Sequence, residues 1–340
     1  MAVGNVFTSQ IISTREMTAS LNAELSSLAV SSSELIKARL ETQLMQTWEL
    51  ANRIRTRSMD WEATVRPSLA SEVSRIGALD IGVVFPDGIA RYVTDNSTAA
   101  LGDRDYVQKA FSGVNAVSDV ITSRVTGQAV VMLSSPIFEN GLSGKVVGAL
   151  VARKSNDALS EMAAQIKTRY ESGYAFLVNK QGVIVAHPDQ EKVSTQFNPI
   201  EESKSDSSLK SLGDMFSRTL TLQNGVDSYH YMNEDRMCGF AEVPGFPWTL
   251  YVAIEKRDFL ASVQDIIFRT LLVGFTNTLL AIGILIVITK IIVKPIVNIS
   301  TTLKDISEGE GDLTRRIETK SKDEISDLAH YFNLTLEKIK

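Results

Sequence analysis

The chain has 340 residues, enough for two or three folded units, and its 44% apolar and 22% charged residues permit a large buried core. Its formal net charge is −5, from 35 basic and 40 acidic residues, so it offers no basic surface for nucleic acid. Three histidines and one cysteine argue against a His/Cys metal site, and Cys238 has no partner for an intrachain disulfide. We therefore expect no nucleic-acid partner, no metal and no cofactor.

The N-terminal part is expected to be a long helix. Residues 20–59 contain neither proline nor glycine, and their leucines recur mostly at steps of three, four and seven residues. This spacing predicts one amphipathic helix, about 60 Å long. A helix longer than a small domain is wide usually pairs with another helix or subunit. We place a stalk helix over residues 1–60.

Downstream of the stalk, the sequence changes to short apolar runs separated by turn signals. The run ALDIGVVF is followed by the turn PDG, and VSDVITSRV and QAVVMLSSPIF are joined through Thr126-Gly127 as a hairpin. Helices are predicted over residues 103–110 and 157–171. These elements predict a first α+β module over residues 61–168.

The strand pattern then begins a second time. The segment YAFLVNKQGVIVAHPD predicts two strands around a turn, and DSYHYM and WTLYVAI predict two more, with PGFP as a breaker between them. A polar stretch between the two pairs is expected to form a loop and a short helix. These elements predict a second α+β module over residues 169–255.

Twenty residues between Arg269 and Lys290 carry no charge, and as a helix they would span about 30 Å, the hydrocarbon thickness of a bilayer. The alternative, a buried helix of a soluble core, is less common at this length and apolarity. We assign residues 256–293 to a juxtamembrane and transmembrane helix. Basic residues flank the span three to a side, so charge bias gives no orientation. Because the N-terminus does not resemble a signal peptide, we expect an upstream transmembrane helix to be missing from this chain.

Two amphipathic helices are predicted after the apolar segment. Gly309 and Gly311 are expected to end the first, and Ser321 with Glu324 forms a capping box for the second. Two short apolar seams cannot be buried within one chain, whereas two copies can bury them as a parallel four-helix bundle, so we expect a homodimer. The seam residues are Ile296, Ile299, Leu303 and Ile306, then Ile325, Leu328, Phe332 and Ile339.

Several of these segments resemble a known family. The strand from Asp80, GDRDYVQKAFSG, the hairpin around RVTGQAVVM and YAFLVNKQGVIVAHP resemble, in this order, the double-Cache sensors of bacterial methyl-accepting chemotaxis receptors, over residues 20–265. Residues 294–340 resemble a HAMP linker, with Leu313 and Ile317 in its connector. The resemblance implies an α+β fold: a long N-terminal helix carries two PAS-like modules, followed by one transmembrane helix and a HAMP helical pair. It also implies that the membrane-distal module holds a small-molecule ligand.

The resemblance also implies a ligand site. In amino-acid sensors of this family, an arginine followed by two aromatic residues binds the ligand carboxylate, and a later aspartate binds the amino group. Here Val107 stands at the second aromatic position and Arg153 stands near the position of the aspartate. We therefore expect a small anionic ligand without an ammonium group, such as an organic acid. The candidate ligand-binding residues are Arg104, Tyr106, Arg124, Arg153 and Tyr92.

Simpler roles are the alternatives for these polar residues. Arg104 lies between two aspartates and an ion pair with Asp103 or Asp105 at a surface turn would explain it. Asp119 is interpreted as a turn or strand-edge residue, and His187 as a structural histidine.

The layout predicts a receptor of the inner cell membrane, with a periplasmic or extracellular sensor and a cytoplasmic HAMP domain. Ligand binding would shift the helix that enters the membrane and change the packing of the HAMP bundle. In chemoreceptors, a signalling hairpin that controls a kinase complex would follow; the chain ends at Lys340 without it, so we expect this chain alone not to signal. The same front end precedes histidine kinases and diguanylate cyclases, and a membrane-anchored adhesion or scaffold protein is a third alternative. We expect no enzyme activity, because the sequence has no GxSxG, P-loop, HExxH or CxxC motif.

Overall fold

The computed structural model describes most of the chain, namely residues 2–141, 143–308, 316–317 and 324–339. Within these residues, short π-helical segments cover Trp61–Val65 and Thr289–Val293, and a 3-10 turn covers Ser207–Leu209. The helices are α1 (Ala2–Ala51), α2 (Ile54–Arg57), α3 (Arg66–Leu69), α4 (Glu72–Arg75), α5 (Asp105–Phe111), α6 (Asp157–Ala164), α7 (Gln190–Ser194), α8 (Pro199–Glu202), α9 (Lys210–Thr219), α10 (Lys256–Ile288), α11 (Lys294–Ser307) and α12 (Glu324–Ile339).

The chain divides into two compact units, Met1–Ala261 and Ser262–Lys340. The first unit contains two antiparallel sheets. We call the sheet nearer the N-terminus, with its surrounding helices, the distal module, and the other the proximal module. The strands are β1 (Asp80–Val84), β2 (Ile89–Tyr92), β3 (Thr98–Ala100), β4 (Ala116–Val117), β5 (Ile121–Thr122), β6 (Ala129–Phe138), β7 (Val146–Ser155), β8 (Tyr174–Asn179), β9 (Ile184–Ala186), β10 (Asn224–Tyr231), β11 (Glu234–Glu242) and β12 (Trp248–Glu255).

Helix α1 contacts strands of both sheets and contributes to the cores of both modules. It lies directly on β11 at Gly239, where any Cβ would collide with the backbone of Leu25. The helix ends at Ala51, earlier than predicted. The side chain of Asn52 explains this, because it donates to the Pro136 carbonyl and accepts from the Phe138 amide, both at 3.0 Å. The buried face of α1 comprises Leu21, Leu25, Ala29, Ile36, Leu40, Leu44 and Leu50.

The distal sheet has the strand order β3-β2-β1-β7-β6-β4, and β5 also pairs with β6. In its central strands, Asp80 of β1 lies opposite Arg153 of β7, which in turn lies opposite Met132 of β6. Side chains alternate between the two faces of the sheet. One face packs on the C-terminal part of α1 and on Trp61, and the other packs on α5.

The proximal sheet has the order β10-β11-β12-β8-β9. Its core includes α1, α6 and α9, together with stacked aromatic rings. The rings of Phe176 and Tyr251 lie 5.1 Å apart and nearly parallel, with Phe216 5.2 Å from Tyr251. Cys238 is buried in this core, where burial raises the pKa of its thiol, so it behaves as a small apolar residue.

One helical segment, Phe268–Asp305, is the only one in the described part of the chain that is long and apolar enough to cross a membrane. Its most apolar window has a mean hydropathy of 2.5, and none of that window is buried. Such an exposed apolar surface is unfavourable in water and favourable in a bilayer. Its length and composition therefore suit the membrane span that the sequence predicted.

The second unit also contains α11 and α12, which contact each other. The Asn333 side chain accepts from the Ile317 amide through its oxygen and donates to the Ile317 carbonyl through its nitrogen, both at 3.0 Å, so Ile317 is held on α12. Along the predicted seam Ile299 is buried, whereas Ile296 and Leu303 are each 47% exposed. One chain thus covers only part of the seam. Four residues of the predicted HAMP signals lie outside the described residues: Gly309, Gly311, Leu313 and Ser321.

The α+β fold class predicted from the sequence is confirmed, with its long N-terminal helix, two mixed modules and apolar helix. Strand β11 had not been predicted. The domain boundaries placed at residues 60, 168, 255 and 293 stay predictions.

Candidate functional site

The candidate site lies around α5 in the distal module. The Arg104 carbonyl accepts hydrogen bonds from the Val107 and Gln108 amides, which starts the helix. The buried residues Tyr106, Val107 and Ala110 then face the sheet. The Ser134 hydroxyl of β6 donates to the Tyr106 carbonyl at 2.6 Å, which fixes the helix on the strand. Arg104 therefore lies at the N-terminus of a helix that is fixed to the sheet.

Arg104 has no carboxylate partner in the part of the chain that the structure describes. Its Nη2 donates a long hydrogen bond of 3.5 Å to the Thr122 carbonyl, and its Nε is buried without a partner. The neighbouring aspartates pair elsewhere, Asp103 with Arg124 and Asp105 with Lys109. The surface-turn ion pair considered as an alternative from the sequence is therefore not formed. An arginine without a carboxylate partner can bind an anion without breaking an existing ion pair.

Arg124 is already engaged. It binds Asp103 through two parallel hydrogen bonds of 2.6 and 2.7 Å and donates to the Ala100 carbonyl at 2.6 Å. This pairing lowers the pKa of Asp103 to about 2. Both side chains are largely exposed, at 38% and 64%, so the pair positions the β3–α5 loop more than it stabilises the fold.

Arg153 is buried on the α5 face of the sheet. Its Nη2 lies 3.3 Å from Asp80 Oδ2, and its guanidinium lies 4.9 Å from the centre of the Tyr92 ring. Both the Nε and the Nη1 of Arg153 are buried without a hydrogen-bond partner. Asp80 is fixed in turn, because it accepts from the Ile81 amide and from Thr94. Burial raises the pKa of Tyr92 to about 12, so its hydroxyl stays protonated.

Tyr106 is a buried residue of α5. It shares a buried cluster with Tyr92, and burial raises the pKa of its hydroxyl, against the opposing influence of Arg104 and Arg124. The structure thus brings Tyr106, Tyr92 and Arg153 into one buried cluster. Arg104 and Arg124 flank it from the α5 and β5 sides.

A cavity of about 760 Å³ lies where the two modules meet. The distal module contributes Arg104, Tyr106 and Val114 to its wall, and the proximal module contributes Phe246 and Pro247. The size and the position between modules are typical of small-molecule sites. Arg104 therefore faces a space that both modules enclose.

A short segment, residues 118–122, connects this cavity to the proximal module. Asp119 accepts the indole N–H of Trp248 at 2.6 Å and the Asn179 amide at 3.5 Å. The Val120 side chain belongs to the proximal core, and its carbonyl accepts from Gln196 at 3.0 Å. Asp119 lies between β4 and β5, which agrees with its interpretation as a turn or strand-edge residue. Its contact with Trp248 was missed, because the two residues are far apart in sequence.

Two further polar residues, Asp80 and His187, are buried in the sensor. Asp80 was missed, although a carboxylate at the start of the apolar run ALDIGVVF was a usable signal. His187 is buried, and its Nδ1 accepts from the Asp189 amide at 2.9 Å. Burial lowers the pKa of His187 to about 4, so the ring is neutral. These contacts are those of a structural histidine.

Comparison with known families shows which family the chain belongs to. The Cache domain family matches residues 13–263, most of the chain. The chain belongs to the Cache-domain family. The HAMP domain family matches residues 287–340. The resemblance inferred from the sequence is therefore confirmed for both parts.

Curated relatives of this Cache–HAMP chain are methyl-accepting chemotaxis proteins. McpA of Pseudomonas putida is 26% identical over 237 residues, which cover 67% of this chain and 34% of that protein. PscA of Pseudomonas syringae pv. tomato is 24% identical over 341 residues, covering 96% of this chain and 50% of that protein. The chain thus spans a third to a half of the length of these two relatives.

Solved structures share the fold of the Cache part. The ligand-binding domain of Pseudomonas fluorescens chemoreceptor CtaA, in complex with L-isoleucine, aligns with a TM-score of 0.57 and 16% identity, covering 73% of this chain and 98% of that domain. That of Campylobacter jejuni chemoreceptor Tlp3, with L-norvaline, gives a TM-score of 0.55 and 17% identity, covering 72% and 94%. At these identities the likeness establishes the fold alone.

Proposed function

We propose that this chain is the sensing and membrane-crossing part of a bacterial chemotaxis receptor. The order of Cache domain, apolar helix and HAMP domain supports this role, as do relatives that are methyl-accepting chemotaxis proteins. The sensor lies outside the inner membrane and the HAMP domain lies in the cytoplasm. The output, control of a kinase complex, belongs to a signalling domain beyond the HAMP helices. No catalytic step is assigned to this chain.

The receptor acts as a homodimer. The half-exposed seam of α11 and α12 supports this, because Leu303 and Leu328 are 47% and 52% exposed within one chain. A second copy covers such residues in a parallel four-helix bundle. Ligand binding then shifts an equilibrium between two packing states of that bundle, which requires only a modest difference in affinity for the two states.

The ligand is a small anion whose carboxylate binds Arg104. The observation that carries this proposal is the absence, among the described residues, of a carboxylate paired with Arg104, whereas Arg124 and Arg153 each have one. Tyr106 lines the same cavity as Arg104. Tyr92 and Arg153 do not line that cavity but lie in the buried cluster with Tyr106, where Arg153 presents two unpartnered N–H groups. The resemblance puts Arg153 near the position of the aspartate of amino-acid sensors, so we expect no partner for an ammonium group there.

Calorimetry on the full chain in lipid nanodiscs tests the ligand class, using a panel of organic acids and amino acids. We expect binding of carboxylates, and Arg104→Ala should weaken it at least tenfold because a charge-assisted contact is lost. Arg91→Ala is the matched control, since Arg91 is exposed in the same module, lies outside the cavity and stacks on Phe85. Tight binding of an ordinary amino acid without any carboxylate binding would contradict the proposal.

The chemoreceptor role needs a separate test. The chain is joined at its C-terminus to the signalling hairpin of a chemotaxis receptor, in cells that lack their own receptors. We expect swimming bias to change when a bound ligand is added, and not when Arg104→Ala is present. Unchanged swimming with a ligand that binds the wild-type hybrid would exclude this output.

A further inference from the structure

The apolar helix α10 carries one amide side chain within its uncharged span. In the part of the chain that the structure describes, the side chain of Asn277 has no hydrogen-bond partner. The neighbouring threonines are bonded within the helix, because the hydroxyls of Thr276 and Thr278 donate to carbonyls of the preceding turn at 2.9 Å. An amide without a partner is unfavourable in hydrocarbon. Asn277 therefore favours contact with a second helix that can bond it.

Asn277 belongs to a stripe of residues with the spacing of a helix–helix seam. Residues at alternating steps of four and three lie on one face of a helix. Gly274 and Ala281 lie one turn before and one turn after Asn277, and both are small, so a second helix can approach the amide closely. All members of the stripe are exposed within a single chain. The stripe comprises Thr270, Gly274, Asn277, Ala281, Ile284 and Ile288.

The stripe is out of step with the seam predicted for the HAMP helices. Ile288 and Ile296 are eight residues apart, whereas the alternating spacing requires seven. In an unbroken α-helix, this extra residue would rotate the HAMP seam by about 100° relative to the stripe. The π-helical turn Thr289–Val293 lies between the two seams, and the Lys294 amide donates to the Thr289 carbonyl, five residues back. A π-helical turn takes up one residue more than an α-helical turn, so it returns the two seams to one face.

We propose that α10 packs against α10 of a second copy along this stripe, with the two Asn277 amides hydrogen-bonded to each other. The π-helical turn keeps this contact in phase with the HAMP seam, so that one interface continues from the bilayer into the HAMP bundle. A second copy is the partner, because the stripe continues into a seam that a second copy completes. This inference rests on the proposed membrane span and homodimer, and it adds the residues that form the contact between the copies in the membrane.

Disulfide cross-linking of the full chain in lipid vesicles tests the contact. Single cysteines are placed on the stripe, as Ala281→Cys and Ile284→Cys, and on the opposite face of the helix, as Leu279→Cys and Ile286→Cys. We expect at least fivefold more disulfide-linked dimer from the first pair than from the second. Leu279 also lines a shallow groove beside Gly283. Equal or stronger cross-linking from Leu279→Cys or Ile286→Cys would place the contact on another face and overturn the inference.

A cysteine in the HAMP seam separates this inference from the proposed homodimer. Leu303→Cys should cross-link wherever two copies pair through their HAMP helices, whereas the native Cys238 is buried and should not cross-link. If Leu303→Cys cross-links while Ala281→Cys and Ile284→Cys do not, the homodimer stands and the contact in the membrane fails. If none of the three cross-links, the homodimer fails and this inference fails with it.

Substitution of Asn277 tests the hydrogen bond between the copies. Asn277→Leu should reduce cross-linking through Ile284→Cys at least threefold, and Asn277→Gln, which keeps an amide, should retain it. Thr276→Leu is the matched control, because Thr276 is the adjacent residue and its hydroxyl is bonded within the helix. Unchanged cross-linking in the Asn277→Leu variant would overturn the pairing of the amides.

The π-helical turn predicts different results for a deletion and an insertion. Deletion of Ile291 removes the extra residue, so a regular α-helix keeps both seams in phase, and cross-linking through Ile284→Cys and Leu303→Cys should persist. Insertion of one alanine after Ile291 adds a further rotation of about 100° and should reduce cross-linking at one of the two positions at least threefold. Equal effects of the deletion and the insertion would overturn the phasing role of the turn.

Discussion

The two modules of the sensor share an antiparallel sheet flanked by helices, yet they fill their interiors differently. The distal sheet buries charged side chains, with Arg153 and Asp80 on one face and Lys154 on the other. The Lys154 ammonium donates to the Ile76 carbonyl, and burial lowers its pKa. The proximal sheet instead packs aromatic rings, including Phe176, Tyr251 and Trp248.

This difference suggests different roles for the two modules. Burying a charge costs free energy unless the charge has a partner. An interior with buried charges therefore accepts only neighbouring groups that can pair with them. Packed aromatic rings have little freedom to rearrange independently, so they move as a body. We propose that the distal module recognises the ligand and that the proximal module transmits a displacement. Four measurements test this difference between the modules, in decreasing order of the expected change in stability.

Loss of the distal ion pair should have the largest effect. Arg153→Met leaves Asp80 buried without its cationic partner, and we expect the free energy of unfolding to fall by about 3–5 kcal/mol. Denaturant titration in detergent micelles measures this. The double variant Arg153→Met/Asp80→Asn should recover most of the loss, because the asparagine oxygen can still accept from the Thr94 amide. Equal stability of the single and double variants would contradict a role for the buried charge.

The neutral His187 should make the proximal module sensitive to acid. Its folded pKa of about 4 lies below the ordinary value of 6.5. As the pH falls, the unfolded chain takes up a proton at His187 before the folded chain does. The free energy of unfolding therefore has its full value above pH 6.5 and decreases as the pH falls towards 4. The loss amounts to about 3 kcal/mol.

Thermal unfolding between pH 7 and 4 tests this dependence on His187. His187→Asn should reduce the loss of stability between pH 7 and pH 4, because the asparagine oxygen can accept from the Asp189 amide and does not titrate. An identical pH dependence in the two proteins would rule out His187 as the source.

The hydrogen bond between the modules should have an intermediate effect. Trp248→Phe removes the indole donor from Asp119 while keeping an aromatic ring in the core, and should cost about 1–3 kcal/mol. A double-mutant cycle with Asp119→Ala isolates the coupling between the two side chains. Additive losses would indicate that Asp119 and Trp248 act independently.

The smallest effect is expected inside the aromatic core. Tyr251→Phe removes only the hydroxyl that hydrogen-bonds Thr219 at 2.7 Å, and we expect a loss of about 1 kcal/mol. Thr219→Val removes the other partner and serves as the control. If Tyr251→Phe costs as much as Arg153→Met, the contrast between a polar and an aromatic interior is wrong.

Local sequence signals predicted most of the elements but not all of them. The hairpin around Thr126-Gly127 forms as predicted, between β5 and β6, because its turn residues and apolar runs lie together in the sequence. Strand β11 was missed, because its segment EDRMCGFAE mixes charges with a glycine and lacks an alternating pattern. A glycine is needed at position 239 of that strand because α1 packs too closely there for any side chain.

The candidate site was only partly accessible from the sequence. Arg104 and Tyr106 were found through a family motif, and their roles stay predictions. The Asp80 partner of Arg153 depends on the antiparallel register of β1 and β7, which join residues 73 positions apart. Phe246 could not be connected to Arg104 at all, because the two modules meet only after both sheets have formed.

Local sequence patterns were sufficient to predict the long helix, the two mixed modules, the apolar helix and the paired amphipathic helices. Each of these depends on periodicity, turn residues or hydropathy over a short window. The folded structure was needed to show which charges are paired, which arginine stays without a carboxylate, and which residues line the cavity between the modules. These properties depend on strand register and on the packing of distant segments, because charge compensation is set by neighbours in space and not by neighbours in the chain.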